Sequence, residues 1–172
     1  MTNKLILTLS LSFFLTACNN TKPEEEPSQQ PQANAVSQTI YLSDITFSDE
    51  VADGEFKTQC SMIPALTESV LNSSKDTLTN ILSSNSIMEE QYELNVTYIY
   101  VESHKWRFPS VRPGSEATIK ATILKNGVVE YSTQKSIDSW VAFGACSRLE
   151  KIARAEGRYI AQWVSNTIPA AQ

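Results

Sequence analysis

The chain of 172 residues holds one histidine, three cysteines and five glycines, and each scarcity removes a class of function. With His104 alone and no histidine cluster near the cysteines, a zinc site is not expected. Any serine or cysteine nucleophile would have to share that single imidazole. The few glycines build no phosphate-cradling loop and no Gly-x-Ser-x-Gly elbow, and no His-Glu-x-x-His pair occurs. Fourteen lysines and arginines against nineteen acids give a net charge of −5, with no basic run, so nucleic acid is not an expected partner. The one extended apolar run, Leu5 to Leu15, is too short to cross a bilayer as a helix. The expectation is a protein without cofactor or metal, and not an enzyme.

What the chain does have begins at its amino terminus. Lys4 gives a charged start, Leu5 to Leu15 is apolar apart from Thr8, Ser10 and Ser12, and small residues follow. This order describes an export signal over residues 1–17. Leu15-Thr16-Ala17-Cys18 resembles the lipobox of bacterial lipoproteins. The resemblance implies that the Cys18 thiol receives a diacylglycerol, that the leader is removed, and that the new amine is acylated. The membrane is then a partner through the lipid, because two or more acyl chains anchor stably at ~0.8 kcal/mol per buried methylene. Asn19, where an aspartate would favour inner-membrane retention, implies an outer-membrane address facing the periplasm in a Gram-negative host. With a single membrane, the same anchor would sit in the cell membrane.

Loss of the leader leaves 155 residues and, with Lys4 gone, a net charge of −6. Residues 18–38 carry three prolines and three consecutive glutamates, with Val36 as the only sizeable apolar side chain. They cannot bury enough surface to offset their ordering entropy and are expected to form a disordered tether. About twenty such residues span ~25 Å on average. If Cys18 is lipidated, Cys60 and Cys146 remain as a pair in an exported chain. A disulfide between them is expected, with two buried free thiols as the alternative; a metal site is not expected, because two lone cysteines without a nearby histidine cluster do not make a zinc set. Closing so long a loop is worth about 4–5 kcal/mol in the chain-entropy description.

Residues 39–168 read as one periplasmic domain, with 169–172 a carboxy-terminal tail. Thr39 to Phe47 is β-rich and reads as a strand. A helix follows Cys60, with Pro64 in its first turn and Ile63, Leu66 and Val70 on one face. Ser73 to Asp76 looks like a cap from which the helix restarts through Leu78, Ile81 and Leu82. From Gln91 to Glu102, Tyr92, Leu94, Val96, Tyr98 and Tyr100 alternate with polar residues, which predicts a strand with one buried face. Glu116–Leu124 and Val128–Lys135 flank Asn126-Gly127, a hairpin signal. A helix over 144–165 carries Leu149, Ile152, Ala153, Ile160, Trp163 and Val164 on one stripe.

The predicted order is strand, helix, three strands, helix. It implies an α+β fold, a mostly antiparallel sheet of about four strands with two main helices on one face. This order is similar to that of small envelope domains such as the amino-terminal domain of TolB and the curli-type secretion lipoproteins. Nothing about secretion follows, since no hairpin is long enough to build a membrane barrel.

The acidic run Asp49–Glu55 lacks the third and twelfth ligands of a calcium loop and reads as a solvated turn. Glu89 and Glu90 point to opposite faces of a strand and form no carboxylate pair. The informative segment is the 104–113 connection, with His104, Lys105, Trp106, Arg107, Phe108 and Arg112. Aromatic faces beside permanent cations suit an anionic or sugar-bearing ligand, or a protein hot spot. The residues by themselves favour the other reading, that Trp106 and Phe108 close one end of the core, as tryptophan usually does in a small domain. Trp140, Val141 and Phe143 read as packing, and Arg148, Lys151, Arg154 and Arg158 as a solvated face supported by a Glu150–Arg154 pair. The functional expectation is a non-enzymatic accessory or adaptor lipoprotein that binds another envelope protein. A carrier or sensor of a small glycan or lipid is the alternative.

Overall fold

A computed structural model of the chain describes residues 38–77, 79–83, 91–106, 108–109, 112–141 and 143–168. The leader, Cys18, the tether up to residue 37, Leu78, Glu89, Glu90, Arg107 and the 169–172 tail lie outside the described residues.

The first β-rich run divides in two, because Ser43 leaves the strand direction. Its backbone N–H donates to Leu94 O at 3.1 Å, and its side chain bonds Asn95. The result is β1 (Gln38–Leu42) and the two-residue β2 (Thr46–Phe47). A single turn, α1 (Phe56–Gln59), precedes Cys60, and α2 (Met62–Ser74) follows with Pro64 near its start. The predicted helical restart does not form. Thr79–Ser83 is instead β3, whose β-branched Thr79 and Ile81 are buried while Asn80 and Leu82 face out.

The long strand is β4 (Tyr92–Lys105), paired with β5 (Gly114–Lys125), which turns through Asn126-Gly127 into β6 (Val128–Ser139). Both turn residues have positive φ, 53° and 75°, the condition for a two-residue hairpin of this hand. The last element is α3 (Ala145–Thr167).

The sheet has six strands in the order β3-β1-β4-β5-β6, with β2 also on β4. β1 is parallel to β3 and β4, and β2 is parallel to β4, whereas β4, β5 and β6 are antiparallel. The fold is α+β, but the sheet is mixed and larger than the four antiparallel strands expected. The extra strands arose where a short parallel strand depends on partners distant in sequence, which local periodicity does not report.

Both long helices pack on one face. Met62, Ala65, Leu66 and Val70 of α2 and Leu149, Ile152, Ala153, Ile160 and Val164 of α3 join Ile40, Leu94, Val96, Tyr98, Ile119 and Ile123 in one core. Gly157 sets the helix–helix distance, because a Cβ there would lie 2.5 Å from Ser69 Cβ and 2.9 Å from Val70 N. The alternation in β4 reverses at Ile99. Tyr98 pairs with Ile119 but Tyr100 pairs with Thr118, so one residue is extra. This bulge turns Tyr100, expected to be buried, out into solvent.

Candidate binding surface

The carboxy-terminal end of β4, the start of β5, the end of β6 and the start of α3 meet at one end of the sheet. Lys105 pairs with Gly114, and Ser115 with Ser139. Trp106 (66% exposed), Phe108 (97%), Val141 (68%) and Phe143 (84%) project from the two connections there. Neither Trp106 nor Phe108 closes the core, and Val141 and Phe143 are not packing residues, contrary to the packing expectations. The Arg112 guanidinium lies over the Phe143 ring, 5.2 Å from its centroid, and so joins the two connections. A cation on an aromatic face is a contact of about 0.5–1 kcal/mol at an exposed site.

The roots of this surface are fixed on both sides of the sheet. On the open face, Lys105 forms an ion pair with Glu116, and Ser136 Oγ donates to Glu116 Oε1 at 2.8 Å. The Trp140 ring lies against Gly114, where a Cβ would come within 2.7 Å of it, and its Nε1 donates to Asp138 at 2.7 Å. On the helix side, Arg148 is buried, not solvated as expected. Its Nε donates to Ser115 Oγ at 3.0 Å and its Nη2 to Ser103 O at 3.3 Å. Ser115 Oγ in turn donates to Ser103 O at 2.7 Å.

Cys60 and Cys146 are joined as a disulfide, with their Cα atoms 4.8 Å apart. The bond ties the chain just before α2 to the first turn of α3, beside the aromatic connections. Ser61 N–H adds a bond to Glu150 Oε1 at 3.3 Å, so Glu150 caps the α2 start where an Arg154 partner was expected. Arg154 contributes its carbonyl to Ser69 Oγ at 2.7 Å.

His104 is exposed at the end of β4, and its Nδ1 lies 3.0 Å from Ser103 Oγ. Among the described residues, no group of three histidine, cysteine, aspartate or glutamate side chains is placed to hold a metal. The acidic run contributes an exposed Lys57–Asp53 pair at 3.0 Å. No described helix is long and apolar enough to cross a membrane.

Two features were not read from the sequence. A groove of about 700 Å³ between α2 and the edge strand β3 has Ile63, Pro64, Leu71, Ile81 and Leu82 among its lining residues. Glu156 of α3 is fully buried, and neither carboxyl oxygen makes a hydrogen bond. Burial pushes this carboxyl up to about 8, and the nearby Tyr98 hydroxyl pulls it only partly back. Burial and Glu156 together push the Tyr98 phenol far upward. A glutamate on the core face of an otherwise apolar stripe is the pattern that could have revealed it.

No family model matches the chain, and no curated protein matches it. Among solved structures, protein XCC0632 from Xanthomonas campestris, of the DUF330 family, is similar over 80% of this chain and 89% of that one, at 14% identity and a TM-score of 0.56. The hypothetical protein CT253 from Chlamydia trachomatis is similar over 76% of this chain and 97% of its own, at 7% identity and a TM-score of 0.52. The structural neighbours also include a bacterial lipoprotein, GNA1162 from Neisseria meningitidis, over 73% of this chain and 99% of that one, at 12% identity and a TM-score of 0.43. XCC0632 and CT253 share the fold, and identities this low extend to nothing more.

Proposed function

We propose that this protein is an outer-membrane lipoprotein, held by acyl chains on Cys18 and a flexible leash, that binds another envelope protein as a non-enzymatic accessory or adaptor. The leader and its Leu-Thr-Ala-Cys end support the anchor. The observation that carries the binding role is the exposure of Trp106, Phe108, Val141 and Phe143 on two connections joined by Arg112. Clustered exposed apolar side chains mark interaction sites, and tryptophan and arginine are enriched among residues that dominate interface energies.

Affinity recovery from solubilised membranes with the full chain tests this reading. Trp106→Ala and Phe143→Ala should each reduce a specific co-purifying protein about tenfold or more, with unchanged thermal stability. Equal recovery by wild type and both variants contradicts it. The groove between α2 and β3 favours a second reading, a small apolar envelope ligand such as a lipid acyl chain. Native mass spectrometry of the protein taken from membranes tests it: a bound lipid lost in Leu71→Lys supports it, and protein of bare polypeptide-plus-anchor mass contradicts it.

A further inference from the structure

The outer strands β6 and β3 treat their free edges differently. β6 carries Glu130, Lys135 and Asp138, and a bulge between its pairings with Ile123 and Leu124. Charges and bulges of this kind keep a strand edge from pairing with another chain. β3, with the sequence TNILS, has no charge, no proline and an unbroken register with β1. Among the described residues, its other edge pairs with no strand. Thr77 Oγ1 donates to Thr79 O at 2.9 Å, and no other hydrogen bond among the described residues reaches that edge. Alternate backbone N–H and C=O groups between Asn80 and Ser83 are therefore left without a ladder partner.

α2 borders this edge with more apolar surface than the core uses. Its core stripe is Met62, Ala65, Leu66 and Val70. Ile63, Thr67 and Leu71, at i, i+4 and i+8, form a second stripe that is only half-buried and lines the groove beside Ile81 and Leu82.

We propose that the groove takes an extended segment of a partner protein, which joins the sheet as a strand beside β3 and lays apolar side chains against Ile63 and Leu71. The guest's main chain supplies the hydrogen bonds that the edge lacks, and its alternate side chains fill the apolar lane. The five residues of β3 set the paired length. A lipid acyl chain would cover the apolar walls but leave the strand edge unpaired. The charged lining residues, Glu68 and Lys75, cancel, so an anionic headgroup gains no advantage there. A second folded copy would have only a five-residue edge to pair with, where stable interfaces take about 20–30 residues a side. None of Trp106, Phe108, Val141 and Phe143 lines the groove, so this site stands apart from the aromatic end.

The test uses the full chain in its native membrane, with a photo-crosslinking amino acid in place of Leu82, which is 41% exposed. One protein adduct is expected, and mass mapping should place it in a single short segment of the partner. Asn80→Lys/Ser83→Lys, at two exposed positions, gives β3 the kind of charge that β6 carries and should cut the adduct about tenfold or more. The mapped segment, made as a synthetic peptide, should bind the purified full chain. Two twins of that peptide, N-methylated on one or the other set of alternate residues, then separate main-chain pairing from apolar contact. The twin blocked on the β3 side should bind about tenfold more weakly or worse, and the other should bind normally. A phospholipid adduct, an adduct within this chain or on a second copy of it, or no adduct at all overturns the proposal. Equal binding by the two twins overturns it as well, as does an adduct undiminished in Asn80→Lys/Ser83→Lys.

Discussion

Arg148 Nε donates to Ser115 Oγ at 3.0 Å inside the domain, which makes a residue of α3 the inner fastening of the β4–β5 connection. The same guanidinium reaches Ser103 O, so both strands at the root of the aromatic surface hang from one side chain. Arg148→Met should destabilise the domain by about 1–3 kcal/mol, because Ser103 and Ser115 lose a charged donor in a buried setting. Amide exchange should rise most around Ser103 and Ser115. Exchange raised evenly over the whole domain would show that Arg148 has no particular hold on this connection.

Reducing the Cys60–Cys146 bond should lower stability by about 4–5 kcal/mol, since it closes a loop of 86 residues in sequence separation. Denaturant unfolding of wild type and Cys60→Ser/Cys146→Ser measures this. Equal midpoints would mean that the bond constrains nothing the rest of the fold does not already constrain.

Gly157→Ala should cost about 1–3 kcal/mol, because the added Cβ meets Ser69 Cβ and Val70 N where α2 crosses α3. Thermal melts compared with an exposed alanine control, Lys151→Ala, read the difference. A neutral Gly157→Ala would show that the two helices can move apart freely.

The buried carboxyl of Glu156 makes a pH-dependent contribution of known sign. Its pKa rises from 4.5 to about 8 on folding, so the folded state binds the extra proton between those values. Stability from this group is therefore complete below about pH 4.5 and is lost as pH climbs through about 8. Glu156→Gln should leave stability near pH 4 little changed and raise it by a few kcal/mol near pH 8.5. A Glu156→Gln difference that is the same at both pH values would contradict a buried, protonated acid.

Sequence periodicity reported the elements whose signals are local. The α3 stripe from Leu149 to Val164, the Asn126-Gly127 hairpin and the β4 alternation up to Tyr98 all reflect neighbours along the chain. It failed where a distant partner decides. Ile81 and Leu82 sit at spacings that extend the α2 pattern, yet pairing of Thr79–Ser83 with β1 makes a strand. The bulge at Ile99 reverses which side Tyr100 occupies, and no residue type there announces it. For the surface, composition drew attention to the segment 104–113 as a candidate. Its exposure, and its union with Phe143 through Arg112, depend on β4, β5, β6 and α3 ending together. Arg148 looked like a solvated cation because helix position alone does not show the polar groups waiting at a strand end.

Intact mass measurement of the protein extracted from cell membranes tests the anchored, oxidised domain most directly. The expected species begins at Cys18, carries acyl groups there, and has no alkylatable thiol at Cys60 or Cys146 before reduction. A soluble chain that retains Met1 and alkylates at all three cysteines would contradict it.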